Sequence, residues 1–167
     1  MVKWLFRIAA AVVLTAALGW GWQTFFPSNE RQIRRLLDRV AETVSIPTDG
    51  RFVGGVLAAD RLKSYFTPGI EVDVDVPGEG RHTFTGREEL TQVYLLARSQ
   101  HRGLRVEFLD VLVAVGPDGQ AATAELTARI RQTGDKDFGV QELRLQLHKG
   151  EDAWRIHRVE TTRSIKL

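Results

Sequence analysis

Along this chain the spacing of apolar positions takes three forms in turn, and each marks a different kind of element. From Ile8 to Leu18 the apolar run is broken only by Thr15, and no charge falls between Arg7 and Glu30. Residues 8–26 at 1.5 Å per residue come close to the roughly 30 Å hydrocarbon layer, so a spanning helix is predicted there. Behind it, Ile33, Leu36, Leu37, Val40 and Val44 recur at helical spacing after a Ser28-Asn29 cap, with Arg and Glu on the opposite face. From Ile70 the period drops to two: Ile70, Val72, Val74 and Val76 alternate with Glu71, Asp73 and Asp75, the signature of a half-buried strand.

The same signals order the rest. Pro47 to Gly55 punctuates, a short helix is expected over Val56–Phe66 with Leu57, Leu62, Tyr65 and Phe66 inward, and Thr67-Pro68-Gly69 stops it. Pro77 to Gly80 reads as a four-residue hairpin loop into a strand over Arg81–Thr85, and a third helix follows over Arg87–Ser99 with Leu90, Val93, Tyr94 and Ala97 inward. Four strands complete the chain: Leu104–Val115, Ala122–Arg131, Phe138–His148 and Trp154–Thr161.

Three of these strands change phase midway. Leu104, Val106 and Phe108 give way to Val111, Val113 and Val115; Phe138 and Val140 to Leu143, Leu145 and Leu147; Trp154 and Ile156 to Val159. An extra residue in one strand of a pair does this, and such β-bulges bend sheets. The expected fold class is α+β: a strongly curved antiparallel sheet of about six strands, three helices on its concave side, and one hydrophobic helix in front.

Charge changes the picture at the N-terminus. Lys3 and Arg7 precede the hydrophobic run while Trp20, Trp22, Phe25 and Phe26 crowd its far end, which predicts a signal anchor over 1–27 with its N-terminus in the cytoplasm and a domain over 28–167 outside it, periplasmic in a bacterium. A cleaved signal peptide ending near Ala17-Leu18-Gly19 is the alternative. Beyond Arg7, 21 of the 23 basic residues face 21 acidic ones, a balance that argues against nucleic acid as a partner. The chain has no cysteine, which excludes disulfides, thiolate metal sites and a cysteine nucleophile. His82, His101, His148 and His157 are scattered without metal-ligand spacing, so neither a metal nor a cofactor is expected.

Leu62-Lys63-Ser64-Tyr65-Phe66 before the first strand, Thr83-Phe84-Thr85-Gly86-Arg87-Glu88-Glu89-Leu90 entering the third helix, and Trp154-Arg155-Ile156-His157-Arg158-Val159-Glu160 near the end carry a resemblance. Over residues 30–162 the chain resembles the nuclear transport factor 2-like superfamily, the cone-shaped fold of SnoaL-like cyclases and ketosteroid isomerase. That superfamily holds isomerases, cyclases, dehydratases, binding modules and scaffolds, so the resemblance implies a fold more than a function. In its isomerase members a general-base aspartate lies near the end of the first strand, and Asp75 comes nearest to it here. The tyrosine those members carry on the first helix has no counterpart between Ser28 and Ile46.

Alternation turns Asp75 outward, but a four-residue turn would pair it with His82, placing a carboxylate beside an imidazole as general acid/base work requires. Tyr65, Tyr94, Arg98 and Trp154 are candidate pocket-lining residues between helices and sheet, although core packing explains the aromatics equally well. Two functions fit. One is a non-enzymatic domain, tethered through residues 8–26, that binds a small apolar ligand or a protein partner; the architecture is similar to the inner-membrane scaffold of type IV secretion systems, and the resemblance implies a homodimer through Thr123, Glu125, Thr127, Arg129 and Arg131 of the sheet. The other is a cofactor-independent SnoaL-like or isomerase-like enzyme on a small hydrophobic substrate, with Asp75 or His82 as base.

Overall fold

Ser28 caps helix α1 (Asn29–Val44) as its sequence position implies: the hydroxyl accepts a hydrogen bond from the Arg31 amide at 3.4 Å, satisfying one donor that a helix start leaves free. The computed structural model describes residues 28–48, 52–76, 80–134 and 138–166. The expected anchor, residues 1–27, lies outside them; among the described residues no helix is long and apolar enough to cross a membrane. The apolar stripe of α1 buries Ile33, Leu36, Leu37 and Val40, while Arg34 and Glu30 pair at 2.9 Å on its outer side. Just past the helix the Ile46 amide donates to the Leu104 carbonyl at 2.7 Å, tying the end of α1 to the sheet.

Helix α2 spans Phe52–Tyr65, starting four residues before Val56, where its beginning was expected. Gly54-Gly55 reads as a loop because each glycine costs about 1 kcal/mol in a helix relative to alanine. Here the pair lies inside the helix, beneath the side chain of Arg98. Strand β1 (Phe66–Val76) begins directly after α2, and Thr67-Pro68-Gly69, expected as a stop, falls inside it as an irregularity in its pairing with β6. Then come β2 (Gly80–Thr85), α3 (Arg87–Gln100), β3 (Leu104–Val115), β4 (Ala121–Gln132), β5 (Phe138–Lys149) and β6 (Trp154–Lys166).

The sheet order is β2-β1-β6-β5-β4-β3. It is mixed, not antiparallel as expected: β1 pairs with β6 in parallel, and every other pair is antiparallel. The cause is topological. After β2 the chain crosses through α3 to the far edge of the sheet, and the four-strand meander back from there brings β6 alongside β1 in the same direction. Alternation within one strand carries no trace of that direction.

Two of the three phase changes are real bulges. In β3, Leu109 pairs with Thr127 and Leu112 with Glu125, so Asp110 and Val111 together face one residue; Asp110 takes φ 52°, a left-handed conformation that Asp tolerates better than most residues. In β6 the register slips once at His157, where Trp154 and Ile156 hand over to Val159, and again at Thr162. In β5, by contrast, no residue is inserted against β4: Gln141 holds the inward position and is buried, so Phe138 and Val140 belong to the other face.

All three helices pack on one face of the sheet. Ala122, Ala124 and Ala128 of β4 are buried on that face, and one cluster joins them with Ile33 and Leu37 of α1, Leu62 of α2, Tyr94 of α3, Leu145 and Leu147 of β5 and Ile156 of β6. Each large aliphatic side chain in it contributes roughly 1.5–3 kcal/mol by leaving water. Side chains thus occupy the space between helices and sheet. Leu57 and Val93, both expected inside, are instead exposed at 56% and 41%, because α2 and α3 turn those positions away from the sheet.

Candidate functional site

The hairpin does not assemble the acid/base couple. Val76 pairs with Gly80, whose φ of +92° suits glycine, so the connection is one residue shorter than the four expected. That slip sets Asp75 opposite Arg81 and His82 opposite Val74. Because facing residues share a side and successive residues alternate, Asp75 and His82 lie on opposite faces of the sheet. Asp75 is exposed on the outer face; its amide donates to Thr161 Oγ1 at 3.1 Å, and its carbonyl accepts from Gln141 Nε2. His82 is exposed on the inner face near the hairpin end.

Much of the charge on the outer face is paired within that face. Arg81 grips Asp73 with two hydrogen bonds of 2.6 and 2.5 Å, and this guanidinium holds the Asp73 carboxyl below its usual range. Glu125, Arg144, Glu160, Arg158 and Glu71 form one chain of ion pairs across β4, β5, β6 and β1, with separations of 2.9, 3.6, 3.4 and 2.7 Å. Glu107 bridges Arg129 and Arg105, and Arg129 chiefly lowers its pKa. Of the residues expected at a dimer surface, Glu125 and Arg129 are committed to these pairs, and Arg131 lies over the Phe138 ring at 5.9 Å.

The four pocket candidates separate. Trp154 is buried in the core under Lys149, and its indole N–H finds no acceptor among the described residues. Tyr65 is half-buried beneath Arg39, 5.8 Å from ring centre to guanidinium. Tyr94 and Arg98, one helical turn apart, stay together: the Tyr94 hydroxyl donates to the Thr43 carbonyl at 3.0 Å and accepts from Arg98 Nη1 at 3.3 Å.

Arg98 lines a pocket of about 370 Å³ between α2 and α3 at the end of α1, walled by Ile46, Gly55, Val56, Leu95 and Arg102. The arginine lies across the helix face opened by the glycines, since a Cβ on Gly55 would stand only 2.9 Å from its Nε. Half-buried, it makes no ion pair with a carboxylate among the described residues. A larger hollow of about 690 Å³ runs between the second half of α1 and the start of β3, but it is more open, and its Glu107 is already paired. The α2–α3 pocket combines apolar walls with fixed polar groups, as small-molecule sites do. Gly55, Val56, Leu95 and Arg102 were not foreseen in it; the visible signal was a glycine pair before a helical run and a Leu95-Leu96 doublet too wide for one stripe.

No protein-family model matches the chain, and no curated protein matches it. Solved structures do. A nuclear transport factor 2-like protein with a cystatin-like fold from Novosphingobium aromaticivorans is similar at 19% identity, with a TM-score of 0.60 over 94% of this chain and 88% of that one. A nuclear transport factor 2-like protein of unknown function from Pseudomonas putida KT2440 is 14% identical, with a TM-score of 0.63 over 82% of this chain and 93% of that one. A third, from Novosphingobium aromaticivorans and provisionally described as a scytalone dehydratase, is 16% identical, with a TM-score of 0.57 over 83% and 87%. The chain therefore has a nuclear transport factor 2-like fold, and at these identities the likeness extends to the fold alone.

Proposed function

We propose that this protein is a membrane-tethered, non-enzymatic binding domain that takes a small apolar ligand in the pocket between α2 and α3. One observation carries the choice. Buried side chains fill the middle of the space between helices and sheet, and the larger hollow between α1 and β3 is more open and holds the already paired Glu107, whereas the α2–α3 pocket is more enclosed, apolar-walled and provided with a fixed guanidinium. An acid/base enzyme needs its base and an oxyanion donor to converge on one substrate atom. Asp75 and His82 lie on opposite faces of the sheet, away from that pocket.

Binding of decanol to the full chain in phosphatidylcholine nanodiscs, read by calorimetry against empty nanodiscs, tests this function. Val56→Trp, which fills the pocket, is expected to abolish binding, and Asp75→Asn and His82→Gln to leave it within about twofold. Loss of binding in Asp75→Asn with Val56→Trp silent would move the site to the hairpin and restore the acid/base alternative. For the tether, the chain is expected to resist alkaline carbonate extraction from membranes and to lose that resistance when residues 2–27 are removed; extraction of the intact chain would refute an integral anchor.

A further inference from the structure

We infer that the ligand of the α2–α3 pocket is an anionic amphiphile, a short acyl chain ending in a carboxylate or phosphate, held by Arg98 with Arg102 beside it; this rests on the pocket being the binding site. Two guanidinium groups line a pocket whose remaining walls include Ile46, Val56 and Leu95, and no acidic residue lines it among the described residues. An arginine in the last turn of a helix commonly just complements the helix dipole. Arg98 is held more tightly than that role requires.

Its Nη1 donates to a tyrosine hydroxyl that is itself fixed by the Thr43 carbonyl, and its stem lies where Gly55 leaves no side chain. Tyr94 accepts without neutralising it. Glu42, which shares a neighbouring hollow of about 320 Å³ with Arg98 and Arg61, makes no ion pair with it. On the outer sheet face, by contrast, Arg81, Arg129, Arg144 and Arg158 meet carboxylates. A preorganised, partly desolvated guanidinium with open donor capacity suits a carboxylate or phosphate oxygen. At about 30 Å³ per non-hydrogen atom, near the share of a liquid water, the 370 Å³ pocket holds roughly a dozen atoms, the size of a medium acyl chain with its head.

The test compares decanoate with decanol by calorimetry on the full chain in phosphatidylcholine nanodiscs. Decanoate is expected to bind at least about tenfold more tightly than decanol, as one charge-assisted hydrogen bond supplies. Arg98→Gln should remove that advantage, so that the two probes bind alike, and Arg102→Gln, on an exposed residue whose loss spares the fold, should reduce it in part. Equal binding of the two probes, or an Arg98→Gln variant that keeps the preference, would overturn the anion assignment and leave the apolar pocket standing. Absence of binding by either probe would overturn the pocket itself. Replacing a third of the lipid with phosphatidylglycerol separates the sources: loss of decanoate binding there assigns the anion to a bilayer lipid, and unchanged binding to a free acid.

Discussion

On the outer face of the sheet, Glu125, Arg144, Glu160, Arg158 and Glu71 pass charge from strand to strand until each guanidinium has met a carboxylate. On the α2–α3 side, Arg98 and Arg102 have no carboxylate partner among the described residues and share a pocket with Val56 and Leu95, which are 46% and 38% exposed. Both surfaces face solvent, and both carry arginine. These sheet-face pairs are met within the face itself; the helical side leaves donors and apolar area unmatched in one place, a combination that marks binding surfaces.

The contrast breaks if the outer ion pairs hold the fold together. Leu147→Ala, on the inner face of β5 and 1% exposed, is expected to cost about 2–5 kcal/mol in urea denaturation. Glu160→Gln, which cuts the ion-pair chain at its middle, is expected to cost less than about 1 kcal/mol, as exposed pairs do, and to leave decanol binding unchanged. A Glu160→Gln cost near that of Leu147→Ala would make the outer face structural.

Gly55→Ala sharpens the comparison because stability and binding should move apart. Alanine gains up to about 1 kcal/mol of helix propensity, while its methyl, 2.9 Å from Arg98 Nε, displaces the arginine side chain and not backbone. The variant is expected to melt at or slightly above the parent temperature and to bind decanoate several-fold more weakly. A lower melting temperature with intact decanoate binding would mean that Arg98 is seated there for packing.

Smaller effects follow at the surface. Leu96→Glu, at a position 58% exposed, is expected to change stability by less than about 0.5 kcal/mol. A cost above 2 kcal/mol in the full chain would show that another part of the protein covers this face. Asp73 and Glu107 have folded pKa values lowered by Arg81 and Arg129, so what they add to stability is present above the ordinary carboxylate range and is lost as pH falls through the lowered values. NMR titration should place the Asp73 carboxyl below 3.8; a midpoint at or above that value would mean the Arg81 fork is not populated in solution.

Much of the fold was legible along the chain, for local reasons. The stripe on α1, the Ser28 cap, the strand limits of β3 and the bulges in β3 and β6 all follow from the period of apolar residues, since a buried face must repeat at the pitch of its own backbone. Where the pattern misled, something distant had overruled it. Gln141 takes an inward position because its amide reaches the Asp75 carbonyl on β1, and Gly54-Gly55 stays helical where an arginine more than forty positions later in the chain lies over it. Tyr94 and Arg98 were two of four pocket candidates, and their spacing of four puts them on one face of α3. That Gly55, Val56, Leu95 and Arg102 would join them was not legible, because nothing in one helix states which face of another it will meet.

The hairpin shows how sharp that boundary is. Alternation by itself determined that Asp73 and Asp75 face away from Val72 and Val74, and burial agrees. Whether Asp75 would meet His82 or Arg81 depended on a single residue of turn length, which composition does not set and which moves a side chain through the sheet to its other face. The same division holds for the whole protein. Element limits and most inward faces follow from neighbours within a few residues and can be read along the chain, and the charge balance is a matter of composition. The parallel β1–β6 pair, the buried cluster and the pocket between α2 and α3 depend on which distant segments the chain brings side by side, so they emerge only on folding.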